Sequence, residues 1–332
     1  MNTFELSPDL DEFRDEVRKT AERAFADKAA YWDRHEEFPH ENHKILAELG
    51  YLGLLIPEEY GGSGAPLIQG ALMVEELARV DFATALVAQI YLHTVANHIV
   101  VKGTTKQKST YLPQLARGEI MMSISISEAH AGSAVTDLKT SATIDGNDVI
   151  INGSKCYFTA GHVVSHVLVF VRFGKCSGAN GIGAVIVERG TPGFSAGPPH
   201  SKMGARAIGE TDLFFDNCRV PRENVLVMGN PENSEGFKTL MSCFGTERIG
   251  SAAMSVGIAQ GAFEYAKKFT EERRQFGRPI AEFQGLQWKI ADMATQIHAA
   301  RLMTYRAAQN VDQNGIPNSY ETAMAKLYAN EM

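Results

Sequence analysis

The sequence has few of the residues that hold small secreted folds or metal sites together. Among its 332 residues there are four cysteines, and no two of them form a Cys-x-x-Cys pair. Disulfide frameworks and structural zinc sites need grouped cysteines, so neither is expected, and no metal is predicted. A reducing compartment fits the four isolated thiols, Cys156, Cys176, Cys218 and Cys243.

An excess of positive charge is also missing. The formal net charge is -7 at pH 7, and the basic residues are scattered apart from one short run, ERRQFGR. Proteins that bind nucleic acid meet the phosphate backbone with clustered lysine and arginine. No nucleic-acid partner is therefore expected.

Targeting and membrane-spanning signals are missing as well. No apolar stretch is expected to approach the roughly 20 residues that a membrane span needs. The first residues, MNTFELSPDLDEFRDEV, have acid where a signal peptide has base, and they do not resemble an arginine-rich transit segment. We therefore predict no membrane association and a cytoplasmic protein, although a processed mitochondrial matrix protein would show the same features.

The sequence does have the composition of a globular protein with more than one domain. It is 44% hydrophobic and 21% charged, and it is long enough for two or three packed units. From Ser7 to about Leu115, apolar residues recur at intervals of three and four, which is typical of helices. The first domain, residues 1–120, is therefore predicted to be helical.

The pattern changes in the middle third of the chain. Segments rich in β-branched residues flank Asp145-Gly146 and Asn152-Gly153, two pairs that favour hairpin turns. Segments of this β-rich composition continue to about Met228. We predict a β domain at residues 121–230, most simply a small barrel or sandwich.

Helical periodicity returns after Asn233, so residues 231–332 are predicted to form a helical bundle. Its first helix is expected to run without a break from Glu235 to Phe276, with arginines in the last turn, where they complement the helix dipole. A second helix is predicted at about 283–311. A third begins at Tyr320 and is still running at the last residue, which suggests a bundle whose last helices are missing.

Two charges stand in the middle of that first helix, in CFGTERIGSA at residues 243–252. Counting about 100° per residue from Phe237 places Arg248 inside an apolar arc and Glu247 at its edge. A buried carboxylate costs several kcal/mol unless it is compensated. Helix geometry leaves two alternatives: Glu247 reaches solvent from the rim, or it is compensated and used in chemistry. The arc itself is formed by Leu240, Met241, Phe244 and Ser251.

Four separated motifs resemble the acyl-CoA dehydrogenase family across essentially the whole chain. In family order they are ISISEAHAGSA, INGSKCYFTAG, MGARAIGETDLFFDNCRVPRENVL and ERRQFGRPIAEFQGLQWKIADM. The resemblance implies a mainly α fold: a helical N-terminal domain, a small middle β-barrel and a C-terminal helical bundle. It also implies FAD held between the β domain and the bundle, and a homotetramer.

The same resemblance implies a reaction. Members catalyse FAD-dependent α,β-dehydrogenation of an acyl-CoA thioester to the 2-enoyl-CoA and pass electrons to an electron-transfer flavoprotein. A base removes the α-proton while the β-hydrogen leaves as hydride. A water-poor pocket suits the base, because desolvation raises the pKa of a carboxylate toward the working pH.

Glu247 is the candidate base. Most members use a glutamate in a C-terminal Tyr-Glu-Gly segment, which lies beyond the last residue of this sequence. A smaller group, similar to isovaleryl- and long-chain acyl-CoA dehydrogenases, uses a glutamate followed by arginine on the first bundle helix, and Glu247-Arg248 matches that position. The resemblance then places Thr246, Arg248 and Gly245 near the substrate, with Gly245 where relatives often carry an acidic residue. A second glutamate in the missing tail stays an alternative.

The stretch ISISEAHAGS resembles the strand and loop that follow the flavin. Backbone N–H groups and a hydroxyl in such a loop can meet negative oxygen without a bulky side chain intervening. On this likeness Gly132 and Ser133 lie near the pyrophosphate and pantetheine, and Ser133 also counts as a substrate contact. The residues expected along the ring are Ile124, Ile126 and Ser127.

This loop departs from its relatives, which usually read Glu-Pro-Gly-x-Gly-Ser-Asp. Ala129 replaces the proline, His130 replaces a small residue and Ala134 replaces the aspartate. We expect a less rigid loop and an unusual substrate preference. His130 is interpreted as a loop side chain rather than an acid or base.

Two further motifs complete the expected cofactor site. Tyr157, Phe158 and Thr159 match the family triplet in which an aromatic ring, usually tryptophan, shields the flavin and the threonine approaches N5. A second patch resembles the one that reaches the FAD of a neighbouring subunit, where an arginine fork suits a pyrophosphate. Its members are Arg273, Gln275 and Phe276, with Gln284 nearby.

Two alternatives stay open. One is a flavoenzyme of the same fold with other chemistry, such as a monooxygenase or a CoA-thioester desulfinase. It would need no α-proton base, so Glu247 argues against it. The other is a non-catalytic flavin- or CoA-binding protein. The acyl group and the electron acceptor are not predicted by the sequence.

Overall fold

A computed structural model describes residues 6–311 and 315–332 of the chain. It divides into two compact units, and each unit is assembled from separate segments of sequence. The first unit draws on residues 1–29, 66–89 and 245–332, and the second on residues 30–65 and 90–244.

Helices open and close the chain, and strands occupy its middle. The strands are β1 Met122–Ser125, β2 Ser141–Asp145, β3 Asp148–Thr159, β4 His166–Phe173, β5 Ile182–Glu188, β6 Phe194–Ala196, β7 Glu210–Pro221, β8 Val225–Val227, β9 Arg274–Gln275 and β10 Arg278–Pro279. The helices are α1 Pro8–Ala24, α2 Ala26–His35, α3 His40–Glu48, α4 Leu67–Val80, α5 Phe82–Gln89, α6 Asn97–Lys102, α7 Thr105–Ala116, α8 Glu235–Ser242, α9 Phe244–Glu272, α10 Gln284–Gln309 and α11 Ser319–Glu331.

The first unit is a helical bundle with a core of small and branched apolar side chains. Leu72 and Val74 of α4 pack with Ile249 and Ala253 of α9 in the same cluster. Backbones approach closely where side chains are smallest: a Cβ on Gly257 of α9 would overlap the carbonyl oxygen of Glu75. Close approach of this kind fixes how the helices of the unit are spaced.

The helix predicted from Glu235 to Phe276 is interrupted. It consists of α8 and α9, with Cys243 between them at φ -75 and ψ -14. Because the angular count from Phe237 ran through this break, its phase was wrong beyond it. Arg248 is exposed, not part of an apolar arc, and Glu247 is half-buried.

The end of the same helix also differs from the expectation. α9 ends at Glu272 with no basic residue in its last turn. The arginines follow it, in the two-residue ladder of β9 and β10. Phe276 and Gly277 connect these strands with φ values of +51 and +76. Two positive φ values in succession are the signature of a tight hairpin turn, which ends the helix before the arginines.

The second unit contains one eight-stranded sheet in the order β6-β7-β3-β2-β4-β5-β8, with β1 paired to β4. β1 lies parallel to β4, whereas β3 runs antiparallel to β7 along most of its length. One buried face of the sheet carries the cross-strand pairs Val167–Val187 and Val169–Val185 of β4 and β5.

One of the two predicted hairpin turns is a turn and the other is not. Asp145 and Asp148 are paired at the ends of β2 and β3, around Gly146. Asn152 and Gly153 instead lie inside β3, at a shift in its register with β7. A Cβ on Gly153 would lie 2.7 Å from the Thr140 Cα. The glycine therefore permits a bulge and a close backbone approach.

One helical stretch of 21 residues, Phe82–Lys102, is long and apolar enough to cross a membrane, with a mean hydropathy of 1.3 over its most apolar 18 residues. It contains α5, a π-helical segment and α6. The expectation that no apolar stretch approaches this length is therefore wrong, because the stretch stays apolar on average although Thr84, Gln89 and His93 lie within it. Of its most apolar 18 residues, 72% are buried inside the structure, as in the core helices of many proteins.

The predicted order of helices, β strands and helices is confirmed. The domain boundaries near residues 120 and 230 stay predictions.

We expect two glycine-to-alanine substitutions in helices to have different effects on stability. Gly257→Ala should lower the free energy of unfolding by about 1–3 kcal/mol, because its Cβ must displace the backbone of α4. Gly285→Ala in α10 is the matched control: its Cβ meets nothing within 4 Å. It should change stability by less than about 1 kcal/mol. Urea unfolding of both variants measures this, and equal losses would contradict the close packing of α9 on α4.

Candidate active site

The strand expected along the flavin is β1 of the second unit. Ile124 pairs with Leu168 of β4. Along the strand Ser123 and Ser125 are buried, whereas Ile124 and Ile126 are only partly buried. Successive residues of a strand point to opposite faces, so Ile124 and Ile126, which follows β1 directly and continues the alternation in burial, share one face. That face presents apolar side chains at the start of the loop.

The loop after β1 begins with a tight turn. Glu128 and Ala131 exchange two backbone hydrogen bonds, of 3.1 and 2.9 Å, and Ala129 and His130 form its exposed tip. These bonds fix the turn where relatives usually carry proline. A Cβ on Gly132 would meet nothing within 4 Å, so the backbone there faces open space. Ser133 and Ala134 follow as exposed residues.

A buried ion pair joins this loop to β3. Lys155 Nζ donates to Glu128 Oε1 at 2.8 Å and to the Ile126 carbonyl at 2.9 Å. The Glu128 carboxylate also accepts from the backbone N–H groups of Lys139 and Thr140, at 2.7 and 3.0 Å. Glu128 is 5% exposed and Lys155 is 1% exposed. The pair is therefore shielded from water and almost fully hydrogen-bonded.

The protonation of this pair follows from its surroundings. Burial lowers the pKa of Lys155 to about 8, against the opposing attraction of Glu128. For Glu128, burial opposes the charge, but Lys155 and the backbone donors outweigh it and lower the pKa of the carboxyl. Sequence reasoning missed both residues. The available signal was a lysine at an inward-facing position of a strand, just before the aromatic triplet.

The triplet Tyr157-Phe158-Thr159 lies at the end of β3, where the register with β7 shifts between Lys155 and Phe158. Tyr157 has a φ of +55, which is unusual for a residue other than glycine, and is 68% exposed. Phe158 is buried and Thr159 is half-buried. Bulges of this kind re-aim a side chain, and here the tyrosine ring is turned outward.

The triplet and the loop are direct neighbours. The Cys156 N–H donates to the Ser127 carbonyl at 2.9 Å. The structure of the second unit therefore brings together Ile126, Ser127 and the start of the triplet, which are separated by a long stretch of sequence. On the other side of Tyr157 lies the ring of His200, with centroids 5.9 Å apart.

Glu247 lies in the first turn of α9, in the first unit. Its Oε1 accepts from Ser251 Oγ at 2.8 Å, one turn along the same helix. Its carbonyl accepts a long hydrogen bond, 3.4 Å, from Gln89 Nε2. Within residues 6–311 and 315–332, no basic side chain lies within ion-pair distance of the carboxylate. A half-buried carboxylate that is oriented by one hydroxyl is suited to accept a proton.

The neighbours of Glu247 differ from one another. Thr246 is 8% exposed, whereas Arg248 is exposed. Gly245 lies against Pro317, whose Cγ would be 3.0 Å from a Cβ on the glycine. A larger residue at position 245 would have to displace the proline ring.

The remaining predicted cofactor residues lie together at the turn between α9 and α10. Arg273, Gln275, Phe276 and Gln284 are all exposed, and the Phe276 ring is 93% exposed. The Phe276 and Phe283 rings are 6.1 Å apart, and the Arg278 guanidinium lies 4.3 Å from the Phe283 ring. An exposed ring beside exposed arginine side chains is an arrangement that can meet a planar anionic ligand.

The residues of the second unit fit a flavin nucleotide. The partly buried Ile124 and Ile126 and the outward ring of Tyr157 offer apolar contacts, and the backbone at Gly132 has open space for a ligand. In the part of the chain that the structure describes, no group of three histidines, cysteines or acids could hold a metal ion.

Three family domain models match the chain in order. The acyl-CoA dehydrogenase N-terminal domain matches residues 7–119, the middle domain 123–218 and the C-terminal domain 234–332. The chain belongs to the acyl-CoA dehydrogenase family. The predicted family and enzyme class, an oxidoreductase, are confirmed, and so is the cofactor, because acyl-CoA dehydrogenases depend on FAD.

Individual members of the family are similar over almost the whole chain. Acryloyl-CoA reductase (NADH) of Anaerotignum propionicum is 39% identical over 99% of this chain and 82% of its own length. The short-chain specific acyl-CoA dehydrogenase of Clostridium acetobutylicum is 37% identical over 98% and 85%. Among solved structures, this chain is similar to one from work on the electron transferring flavoprotein of Acidaminococcus fermentans and flavin-based electron bifurcation. The two chains superpose with a TM-score of 0.93. They are 37% identical over 99% of this chain and 85% of the other.

The strained backbone of Tyr157 gives a test that does not depend on activity. In the apoprotein, Tyr157→Gly should be more stable than Tyr157→Ala by about 0.5–1 kcal/mol, because glycine accepts a positive φ at no steric cost. Both variants lose the ring and should bind FAD about tenfold more weakly. Chemical unfolding and fluorescence titration with FAD measure the two effects.

Tyr157→Phe is the control, since it keeps the ring and should keep the FAD affinity. Wild-type affinity in the alanine variant would remove Tyr157 from the flavin site.

Proposed function

We propose that this acyl-CoA dehydrogenase oxidises a short-chain acyl-CoA to the 2-enoyl-CoA with Glu247 as the base. Acyl-CoA dehydrogenation itself follows from membership of the family. The observation that carries the assignment of the base is the Glu247 carboxylate, half-buried and oriented by Ser251 at the start of α9.

Dehydrogenation of an acyl-CoA needs a base next to the α-carbon of the acyl chain. The thioester carbonyl acidifies the α-proton, and the Glu247 carboxylate accepts it. FAD, when bound, accepts the β-hydrogen as hydride. Ser251 keeps the carboxylate in one orientation, and partial burial limits hydration of the charge, so both favour proton transfer.

The proposed substrate contacts are Thr246, Arg248 and Gly245 beside the base and Ser133 in the glycine loop. The Ser133 hydroxyl and the exposed Arg248 guanidinium are donors that suit the polar and anionic groups of coenzyme A. The short acyl chain is supported by two relatives, whose names specify acryloyl-CoA and short-chain substrates.

The proposed cofactor contacts are Ile124, Ile126, Ser127, Gly132, Ser133 and the triplet of β3. The proposal extends to Arg273, Gln275, Phe276 and Gln284 of the turn after α9 as contacts with the FAD of a second copy. The proposed electron acceptor is an electron-transfer flavoprotein, on the strength of the similar chain in the Acidaminococcus fermentans structure. We also propose a cytoplasmic location.

A homotetramer is proposed from the apolar surface of the bundle. Large apolar side chains are exposed along its helices in numbers that a monomer rarely leaves in water. They include Tyr265 and Phe269 of α9, Trp288 of α10 and Tyr320 and Leu327 of α11. Burial of this surface against further copies would stabilise the assembly.

A second candidate function is the reverse reaction, reduction of a short 2-enoyl-CoA. The relative named acryloyl-CoA reductase (NADH), at 39% identity, favours it. Glu247, protonated, would then return a proton to the α-carbon, and FAD, if bound in its reduced form, would supply the hydride that the β-carbon needs. The same residues serve both directions, so the equilibrium and the electron partner decide between them.

Replacement of the base should slow flavin reduction strongly without removal of the cofactor. Glu247→Gln keeps the volume but cannot accept the proton, so flavin reduction by a short-chain acyl-CoA should slow by about 10²–10⁴-fold. Anaerobic titration of the FAD-loaded protein with a panel of acyl-CoAs, followed by flavin bleaching, measures this.

Glu271→Gln in the last turn of α9 is the matched control and should bleach like wild type. Unslowed bleaching in Glu247→Gln would place the base elsewhere. Steady oxygen consumption with little dye reduction would indicate the monooxygenase alternative, and a colourless protein after reconstitution would indicate a non-catalytic one.

The assembly can be tested on the apolar surface alone. Wild-type protein should sediment at about four times its 36.3 kDa chain mass. Phe269→Glu should shift it to smaller species, because it places a charge in the buried contact. Ile144→Glu on β2, a position 43% exposed, should leave the mass unchanged. Sedimentation of the wild type as a monomer would contradict the proposal.

A further inference from the structure

Two flavin-facing segments of the second unit meet at a single buried ion pair. One segment is the loop that begins at Glu128 and carries Gly132 and Ser133. The other is the end of β3, where Lys155 precedes Tyr157. Both segments are short and partly exposed, and their backbones include a left-handed residue and a turn. Their relative position therefore has to be fixed by contacts between them.

The Lys155 ammonium donates hydrogen bonds both to the end of the β1 face and to the start of the loop. Its Nζ reaches the Ile126 carbonyl, at the end of the β1 face, and Glu128 Oε1, at the start of the loop. With 1% exposure the ammonium cannot be hydrated, so its position is set by these acceptors. Movement of either segment would leave a buried charge without its partner.

Glu128 closes the loop as well as pairing with the lysine. Its carboxylate accepts from the N–H groups of Lys139 and Thr140, where the chain leaves the loop and enters β2. One side chain thus fastens both ends of the loop that contains Gly132 and Ser133. Charge-assisted hydrogen bonds of this kind are roughly twice as strong as neutral ones.

The bonds of the pair connect the end of the β1 face, the glycine loop and the end of β3, and they reach the sheet at the start of β2 through Lys139 and Thr140. Ile126, the loop and β3 are joined by the pair, and the Cys156 to Ser127 backbone bond lies beside it. The rest of the sheet is held by its own ladders and by an apolar core. Loss of the ion pair should therefore disturb the cofactor surface more than the stability of the sheet.

We propose that Glu128 and Lys155 are positioning residues for FAD, which hold the glycine loop and the Tyr157 bulge in the relative placement that the cofactor needs. The inference rests on the proposed roles of the loop and the triplet as flavin contacts. It adds two residues that touch neither substrate nor cofactor and act through their neighbours.

A cycle of variants tests the pair: Glu128→Gln, Lys155→Met and the double variant. The double variant removes both charges at similar volume, a change that buried ion pairs often tolerate in stability. We expect each variant to bind FAD at least tenfold more weakly in fluorescence titrations of the apoprotein. The double variant should lose about as much as the larger single loss, because the pair acts as a unit.

The spectrum and the potential of bound FAD are readouts that a purely structural role would not move. Saturated with FAD, the variants should show an altered visible circular dichroism and a shifted midpoint potential. If Lys155→Met does not fold, the double variant and Glu128→Gln, which keeps the volume and one acceptor, decide the outcome.

Ile151→Val is the control for a general loss of stability in β3. It truncates a fully buried residue of the same strand and should leave FAD affinity and spectrum unchanged. The inference is overturned if the double variant, folded, binds FAD with wild-type affinity and spectrum, or loses no more than Ile151→Val. Failure of the wild type itself to bind FAD or oxidise acyl-CoA would instead overturn the proposed function.

Discussion

The cofactor surface of the second unit depends on the contact between the Glu128 carboxylate and the Lys155 ammonium. Two buried charges are costly to remove from water, and their cost is met only when geometry and additional hydrogen bonds are good. Here the additional partners are the Ile126 carbonyl and two backbone N–H groups. The tight turn at Ala129 and the outward ring of Tyr157 both lie next to this contact, and neither has a large apolar core of its own.

The first unit uses a different device to present its functional side chain. Glu247 lies in the first turn of α9, directly after the one-residue interruption at Cys243. Small residues on α9 then allow close packing against α4, so the helix that carries the carboxylate has a fixed place in its bundle. A rigid helix and one oriented carboxylate are sufficient for a proton acceptor.

Family, cofactor and the order of elements could be predicted from the sequence because they are written in contiguous motifs. The Asp145-Gly146 turn also followed from local chemistry. Asn152-Gly153 is the same type of residue pair, but Gly153 lies at a bulge inside β3. The glycine is needed there because the Thr140 backbone approaches closely. The pair of Glu128 and Lys155 was missed: the lysine's place on a strand just before the triplet was a signal, but its partner lies 27 residues away in the sequence. Arg248 was placed wrongly since a helical count loses its phase at a one-residue break.

The most direct test of the account is the structure of the FAD-loaded protein with a non-reactive short-chain acyl-CoA analogue. The account predicts a Glu247 carboxylate oxygen about 3–3.5 Å from the α-carbon, a reacting distance. In the same structure we expect the Tyr157 ring and the Ile126 side chain to lie against the flavin. A different carboxylate at the α-carbon, or Glu247 turned away from the thioester, would contradict it.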